Sequence, residues 1–179
     1  IMKDKGIEEL VEAASRLKTT YDNIQFDALG FYEDDYKEKA RELQNKDIIC
    51  FHGVKDNVHD YIKKCNAVVL PSYHEGMSNV LLESASTGRP VLASNVPGCI
   101  ETFDEGRSGY GFEARDVDSL VEAIVKFIEL PYEKKIKMGL AGRRKMEKEF
   151  DRNIIVNEYM KAINSILGEG AKNEFIWKN

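Results

Sequence analysis

Apolar positions along the chain switch between a spacing of three to four residues and short solid runs, the pattern of helices alternating with buried strands. Near the start, Ile7, Leu10, Val11, Ala14 and Leu17 line one side of a helix. The pattern then predicts a strand over 24–29, a polar helix over 34–43, a strand over 48–51, a helix over 58–64 and a strand over 67–70. A helix over 78–87 and a strand over 91–93, just after Pro90, continue the alternation, and a short helix near 98–103 and a last strand near 111–112 complete it. The run AVVLP at 67–71 is short, β-branched and free of charge, as a strand covered on both faces should be. Beyond Ala114 the character changes. Leu120, Val121, Ile124, Phe127 and Ile128 form one amphipathic stripe, and two further helices are predicted around 133–147 and 152–167.

No internal repeat, low-complexity tract or Pro/Ser-rich linker divides the chain. The expected fold is therefore α/β: one doubly wound, Rossmann-like domain over 1–167, a parallel sheet with helices on both faces, ending in a helical C-terminal segment. The tail at 168–179, EGAKNEFIWKN with its preceding glycine, is expected to dock loosely or fray. Such a sheet lacks the strand that should precede the helix at Ile7, and Ile1 and Met2 read as its stump.

Composition narrows the classes. The 179 residues are 42% hydrophobic and 32% charged, with 13 glycines and 4 prolines, so a real core is affordable and a disordered or collagenous chain is excluded. No apolar run approaches the roughly 18 residues of a membrane span. A net charge of −5 argues against nucleic acid as the main partner. Cys50, Cys65 and Cys99 have no C-x-x-C spacing, so neither a disulfide framework nor a structural zinc site is indicated, and a reducing, cytoplasmic setting is expected. The first residues carry no signal-peptide apolar region and do not begin with Met, so the chain is expected to start inside a longer protein.

The stretch richest in chemistry is PSYHEGMSNVLLE, from Pro71 to Glu83, between a predicted strand and a predicted helix, where α/β folds bind ligands. Gly76 is read as allowing a positive φ or the close approach of a ligand, and Ser78 as the helix N-cap. The amides of Met77, Ser78, Asn79 and Val80 should then be free and, with the helix dipole, form an anion site suited to a diphosphate. Glu83 follows Asn79 by four residues, hence on the same helix face, where a carboxylate can accept hydrogen bonds from adjacent hydroxyls as on a ribose. Glu75, within the loop, can reach a second polyhydroxyl group.

The two glutamates, with seven residues between them inside PSYHEGMSNVLLESASTGRPV, resemble the signature of family 4 retaining glycosyltransferases. The likeness extends from MKDKG at the start through CFHGVKDNV to SNVPGCIETFDEGRSGYGF and the predicted helix at 116–129. It implies one half, the donor-binding one, of a GT-B enzyme, in which two Rossmann-like domains face a cleft. It further implies that Glu83 holds the nucleotide ribose, Glu75 contacts the transferred sugar and Lys5 binds the donor diphosphate, Lys5 and Glu75 being the catalytic candidates. The loop at Val54 and Lys55 matches the place where the family backbone reads the base edge. A basic partner of Lys5 would precede Ile1. YGF at 110–112 departs from the small aliphatics usual there, and is expected only to adjust packing.

The resemblance implies transfer from a nucleotide-sugar, a UDP-hexose, to a saccharide or lipid-linked acceptor held by a missing N-terminal domain, in a bacterial cytoplasm or at the inner face of its membrane. No cofactor and no metal are expected, helix amides and Lys5 taking the electrostatic role. Rival functions are half of a nucleotide-sugar epimerase and a non-catalytic nucleotide-sugar binding module. Each site residue also has a plainer reading: Glu83 as a solvated helix residue, Glu75 as a loop charge, Lys5 as an exposed lysine. His52, His59 and His74 show no ligand spacing with a cysteine or carboxylate and read as satisfied or solvent-facing. EGRSGYGF reads as a turn rather than a dinucleotide fingerprint, and the Asp-x-Asp at 116–118 as a helix start. Lys134, Lys135, Lys137, Arg143, Arg144 and Lys145 form a basic cluster, read as a solvated helix face or as a surface toward anionic lipid.

Overall fold

The computed structural model describes residues 3–31 and 36–167. The stump at Ile1 and Met2, the start of the helix expected over 34–43 and the tail at 168–179 lie outside the described residues. After a short 3-10 turn at Lys3–Lys5, helix α1 (Ile7–Lys18) buries Ile7, Val11, Ala13, Ala14 and Leu17, the stripe read from the sequence. Strand β1 (Asp27–Leu29) pairs in parallel with β2 (Cys50–Gly53), α2 (Lys37–Asn45) supplying the crossover. Helix α3 (Val58–Lys64) leads to β3 (Val68–Leu70), and α4 (Asn79–Ser86) to β4 (Val91–Ser94). A 3-10 turn at Ile100–Thr102 and β5 (Gly109–Phe112) follow, and then α5 (Val117–Ile128), α6 (Tyr132–Glu149) and α7 (Arg152–Leu167), the last of the described elements.

All pairings are parallel, but the described strands form two sheets, β1-β2 and β3-β4-β5. Among the described strands only β4 is paired on both edges, and only β4 is buried along its whole length. The AVVLP strand meets apolar neighbours on both faces, as expected, Val69 packing against the main cluster and Leu70 against a second one, but it is less deeply buried than β4. Val68, Val69 and Leu70 are half-buried, because β3 has a neighbour on one edge alone. Residues 24–26 stay outside the β1 ladder, although Phe26 is buried and its carbonyl accepts from the Cys50 amide at 2.8 Å. The expected helix near 98–103 closes only a 3-10 turn, since six residues with Gly98 at one end cannot complete an α-helix.

Both sheets contribute to one core. Leu17 of α1, Phe26, Ile49, Leu92, Phe112 and Leu120 belong to the same apolar cluster, while Leu81, Val91, Ala93, Cys99 and Phe103 form a second one under α4. Phe112 is 2% exposed and Tyr110 packs against the main cluster, so the YGF departure is a matter of packing. Helix α7 contrasts with all of this. Ile155, Tyr159 and Ile166 are 60%, 67% and 81% exposed, and no residue of α7 enters either cluster. Leu120→Ala is therefore expected to cost about 2–5 kcal/mol in urea unfolding. Ile155→Ser on α7 should stay within about 0.5 kcal/mol of the parent.

One close approach sets the geometry of the site. Gly6 has φ +67, and a Cβ built on it would lie 2.1 Å from the Pro71 carbonyl oxygen. Only glycine lets the turn at the start of α1 rest against the end of β3. The Tyr73 amide seals the junction by donating to the Asp4 carbonyl at 2.9 Å.

Candidate functional site

The loop from Pro71 to Ser78 leaves the C-terminal end of β3 and enters α4. Ser78 is the N-cap, as expected, its hydroxyl accepting from the Leu81 amide at a long 3.5 Å. The expectation of four free amides is corrected to three. The Ser78 amide donates to the Gly98 carbonyl at 2.9 Å, because the segment after β4 folds under the loop. Those of Met77, Asn79 and Val80 have no acceptor among the described residues. They still form a patch of unanswered donors at the positive end of the helix.

The role given to Gly76 is also corrected in part. Its φ is not positive, although a Cβ there would meet nothing within 4 Å, so its surface is open to a ligand. The positive φ belongs to Gly98 at +82, where a Cβ would stand 2.5 Å from the Gly76 carbonyl oxygen and 2.6 Å from that of Glu75. Glu101 Oε2 accepts from the Gly98 amide at 2.8 Å and fixes this underlying turn.

Glu75 and Lys5, 70 positions apart in the chain, meet here: Lys5 Nζ lies 2.6 Å from Glu75 Oε1. Ser72 donates its hydroxyl to the same oxygen at 2.8 Å. Burial by itself would raise the Glu75 carboxyl, but the hydrogen bonds from Lys5 and Ser72 and the nearby positive charges outweigh it and hold the group below its usual range. Glu75 is thus a carboxylate at neutral pH, with Oε2 unpartnered among the described residues. Its side chain is 15% exposed against 42% for Lys5, so the acid is held from below and the ammonium faces outward.

Glu83, the fifth residue of α4, is exposed, and its carboxylate has no hydrogen-bond partner among the described residues. It borders a cleft of about 320 Å³ shared with His59, Leu82, Ser86, Thr87 and Arg143. Val54, 68% exposed, and Lys55 open the segment after β2. The fold thus joins Lys5 directly to Glu75, in the loop that leads to the amide patch, sets Glu83 farther along α4, and leaves Val54 and Lys55 in the segment that follows a separate strand pair.

A family model described as glycosyl transferases group 1 matches residues 1–145. The chain belongs to this family. It is 30% identical over 173 residues to the capsular polysaccharide biosynthesis glycosyltransferase CapM of Staphylococcus aureus, covering 94% of this chain and 45% of CapM. It is 26% identical over 164 residues to the N,N'-diacetylbacillosaminyl-diphospho-undecaprenol alpha-1,3-N-acetylgalactosaminyltransferase of Campylobacter jejuni, covering 91% of this chain and 42% of that enzyme. The chain therefore spans less than half the length of these curated relatives. Among solved structures, Anabaena Alr3699/HepE in complex with UDP-glucose superposes with a TM-score of 0.79 at 21% identity, over 92% of this chain and 46% of that one. That likeness establishes the shared Rossmann-like fold of GT-B enzymes.

In this group 1 domain the sequence reading missed several supports. Ser72 is fully buried beneath Glu75, and its only signal was its place three residues ahead of that glutamate. Tyr73 donates to Glu9 at 2.8 Å, and the Arg115 guanidinium lies 4.4 Å from its ring, a partnership that nothing in the sequence announces. Residues 105–108 do form the turn read from EGRSGYGF, and Asp116 is the N-cap of α5, accepting from the Ser119 amide at 3.0 Å. Of the basic cluster, Lys145 pairs with Asp104 and Glu149, Arg143 with Glu147, and Lys135 donates to the Ile128 carbonyl. Lys134, Lys137 and Arg144 instead line a hollow of about 800 Å³ with Arg107 and Lys148, away from Lys5 and Glu75. Among the described residues no helix is long and apolar enough to cross a membrane.

The histidine reading needs one correction. His74 is exposed and His59 Nδ1 lies 3.3 Å from the Thr87 hydroxyl. His52, in contrast, has both a carboxylate and a thiol within ligand reach, Asp27 and Cys50. Linear spacing hid this, because strand pairing brings in a residue 25 positions away.

Proposed function

We propose that this chain is the donor-binding half of a family 4 retaining glycosyltransferase, and that it holds a nucleotide-sugar of the UDP-hexose type against the β3–α4 loop. The observation that carries the reading is the Lys5–Glu75 pair beside three unpaired amides at the start of α4. A donor diphosphate placed there takes hydrogen bonds from Met77, Asn79 and Val80 and draws the Lys5 ammonium from Glu75. Glu75, kept in place by Ser72, then accepts from hydroxyls of the sugar through its open oxygen. Glu83 accepts from the ribose diol, and the backbone at Val54 and Lys55 meets the base. As the glycosidic bond to phosphate breaks, charge builds on the departing diphosphate, and Lys5 with the helix amides stabilises it without a bridging metal or other cofactor.

The acceptor, a saccharide or a lipid-linked sugar, is met by a second domain. The names of CapM and the Campylobacter enzyme support surface-polysaccharide and lipid-linked acceptors, and the UDP-glucose in HepE supports the donor. The unpaired basic residues of α6 suit a peripheral contact at the cytoplasmic face of a membrane.

Calorimetry with UDP, GDP, ADP and their sugars tests the donor site. One nucleoside diphosphate should bind equally well in EDTA and in millimolar Mg²⁺. Glu83→Ala should lose at least roughly tenfold in affinity, since charged hydrogen bonds are worth about 1.5–3 kcal/mol each, with no change in folding. Lys5→Ala should weaken diphosphate binding more than nucleoside binding. Absence of nucleotide binding, or equal losses for nucleoside and diphosphate, would remove the reading. Sugar epimerisation without transfer by the full-length protein would reassign the same site.

A further inference from the structure

The β1–β2 pair carries a second constellation, independent of the nucleotide site. Asp27 opens β1 and faces Cys50, the first residue of β2. The register then skips His52, Ala28 pairing with Phe51 and Leu29 with Gly53, the kind of irregularity that re-aims a side chain. His52 lies two residues after Cys50, on the same face of the strand, and its Nε2 comes 2.6 Å from Asp27 Oδ1. The carboxylate oxygen, the thiol sulfur and the ring nitrogen all lie within 4.8 Å of one another.

We propose that Asp27, Cys50 and His52 bind a divalent transition-metal ion, zinc above the others. The donor set decides the class of ion. A thiolate and an imidazole suit zinc, whereas magnesium and calcium take oxygen ligands. Ligands on a tetrahedral zinc at about 2.0–2.3 Å stand roughly 3.3–3.8 Å apart, so the thiol has only to close in and the His52–Asp27 contact to open by less than about 1 Å. Paired strands already hold all three, which reduces the ordering that binding demands. On binding, Cys50 gives its thiol proton to solvent, and the proton that His52 Nε2 directs at Asp27 Oδ1 is lost from that nitrogen, the neutral ring keeping its proton on Nδ1 so that Nε2 can take the ion.

The surroundings fit a metal ligand shell. Gln25 Nε2 donates to both Asp27 oxygens, at 3.0 and 3.1 Å, orienting the carboxylate, and the Tyr61 ring on α3 lies 4.9 Å from the imidazole. Asp27 is 37% exposed, leaving room for water at a fourth position. Cys65 is a distinct thiol: burial, with a smaller push from the Asp27 charge, raises it, and its Sγ donates to the Ile62 carbonyl at 3.2 Å. The ion would clasp β1 to β2, held by the first residue of each strand and by His52, one residue short of Gly53.

Cobalt titration tests this directly. Equimolar Co²⁺ should produce thiolate-to-metal charge-transfer absorption in the wild-type chain, retained in Cys65→Ser and Cys99→Ser and absent from Cys50→Ser. Zn²⁺ should raise the thermal midpoint where Mg²⁺ does not. His52→Gln and Asp27→Asn, confirmed folded by circular dichroism, should weaken Zn²⁺ at least roughly tenfold in competition with a chelator. No charge-transfer band at saturating Co²⁺, or a band that survives Cys50→Ser and vanishes in Cys65→Ser, would overturn the site. The wild-type titration depends on no variant folding, and nucleotide affinity plays no part in any readout.

Discussion

Replacing Gly98 with alanine should lower stability by about 2–4 kcal/mol, combining the strain of a positive φ with overpacking. For a chain of this length that corresponds to a fall of roughly 5–15 °C in the thermal midpoint. The added methyl group would stand 2.5 and 2.6 Å from two backbone carbonyl oxygens, those of Gly76 and Glu75, and no flexible side chain is present to yield. Relief must come from the loop itself. Because that loop carries Glu75, nucleotide-sugar affinity should fall along with stability. Gly76→Ala separates the two effects, since its Cβ meets open space at an ordinary φ. That variant should keep its melting temperature and lose affinity only through contact with the ligand. Differential scanning calorimetry of both variants decides it: equal midpoints would mean that Gly98 is not the fixed turn beneath the site.

The 179-residue chain should bind its nucleotide-sugar and yet transfer nothing. Lys5, Glu75 and the amide patch address the donor, and the chain spans less than half the length of the curated relatives it matches. Positioning two reactants accounts for about 7–11 kcal/mol of barrier lowering where it has been measured. Without it, a bound donor hydrolyses or waits. A radiolabelled-sugar assay with saccharide and lipid-linked acceptors, controlled with Glu83→Ala, checks the expectation. Sustained turnover by the chain alone would show that acceptor positioning is already present in it.

The helices were the most legible part of the sequence. The stripes of α1 and α5 bury the residues that their spacing picks out, and the helix at Arg152–Leu167 starts where predicted because Asp151 caps it, accepting from the Asn153 and Ile154 amides. Periodicity does not depend on neighbours. Strand burial does, and Val68–Leu70 shows it: the run meets apolar clusters on both faces, as its composition implied, yet it stays half-buried because its depth in the sheet depends on pairing that no local pattern reports. The site divides in the same way. Glu75, Glu83 and the Ser78 cap lie within one motif and could be read from it. The consumption of the Ser78 amide by Gly98, the support of Glu75 by Ser72 and the meeting of His52 with Asp27 are tertiary contacts, and were not visible.

The split of the parallel sheet into a pair and a triplet has a colloidal consequence. Among the described residues β3 is paired on one edge alone, and its other row of backbone donors and acceptors lies on three consecutive apolar residues. Natural edges are blunted by lysine, proline or a bulge within the strand, and Val68–Leu70 has none of these. The edge is therefore a template: any extended apolar segment that reaches it, from another copy or from another chain, can continue the ladder. Self-association through this edge should then rise with concentration. The remedy is to occupy the edge, not to strengthen the core.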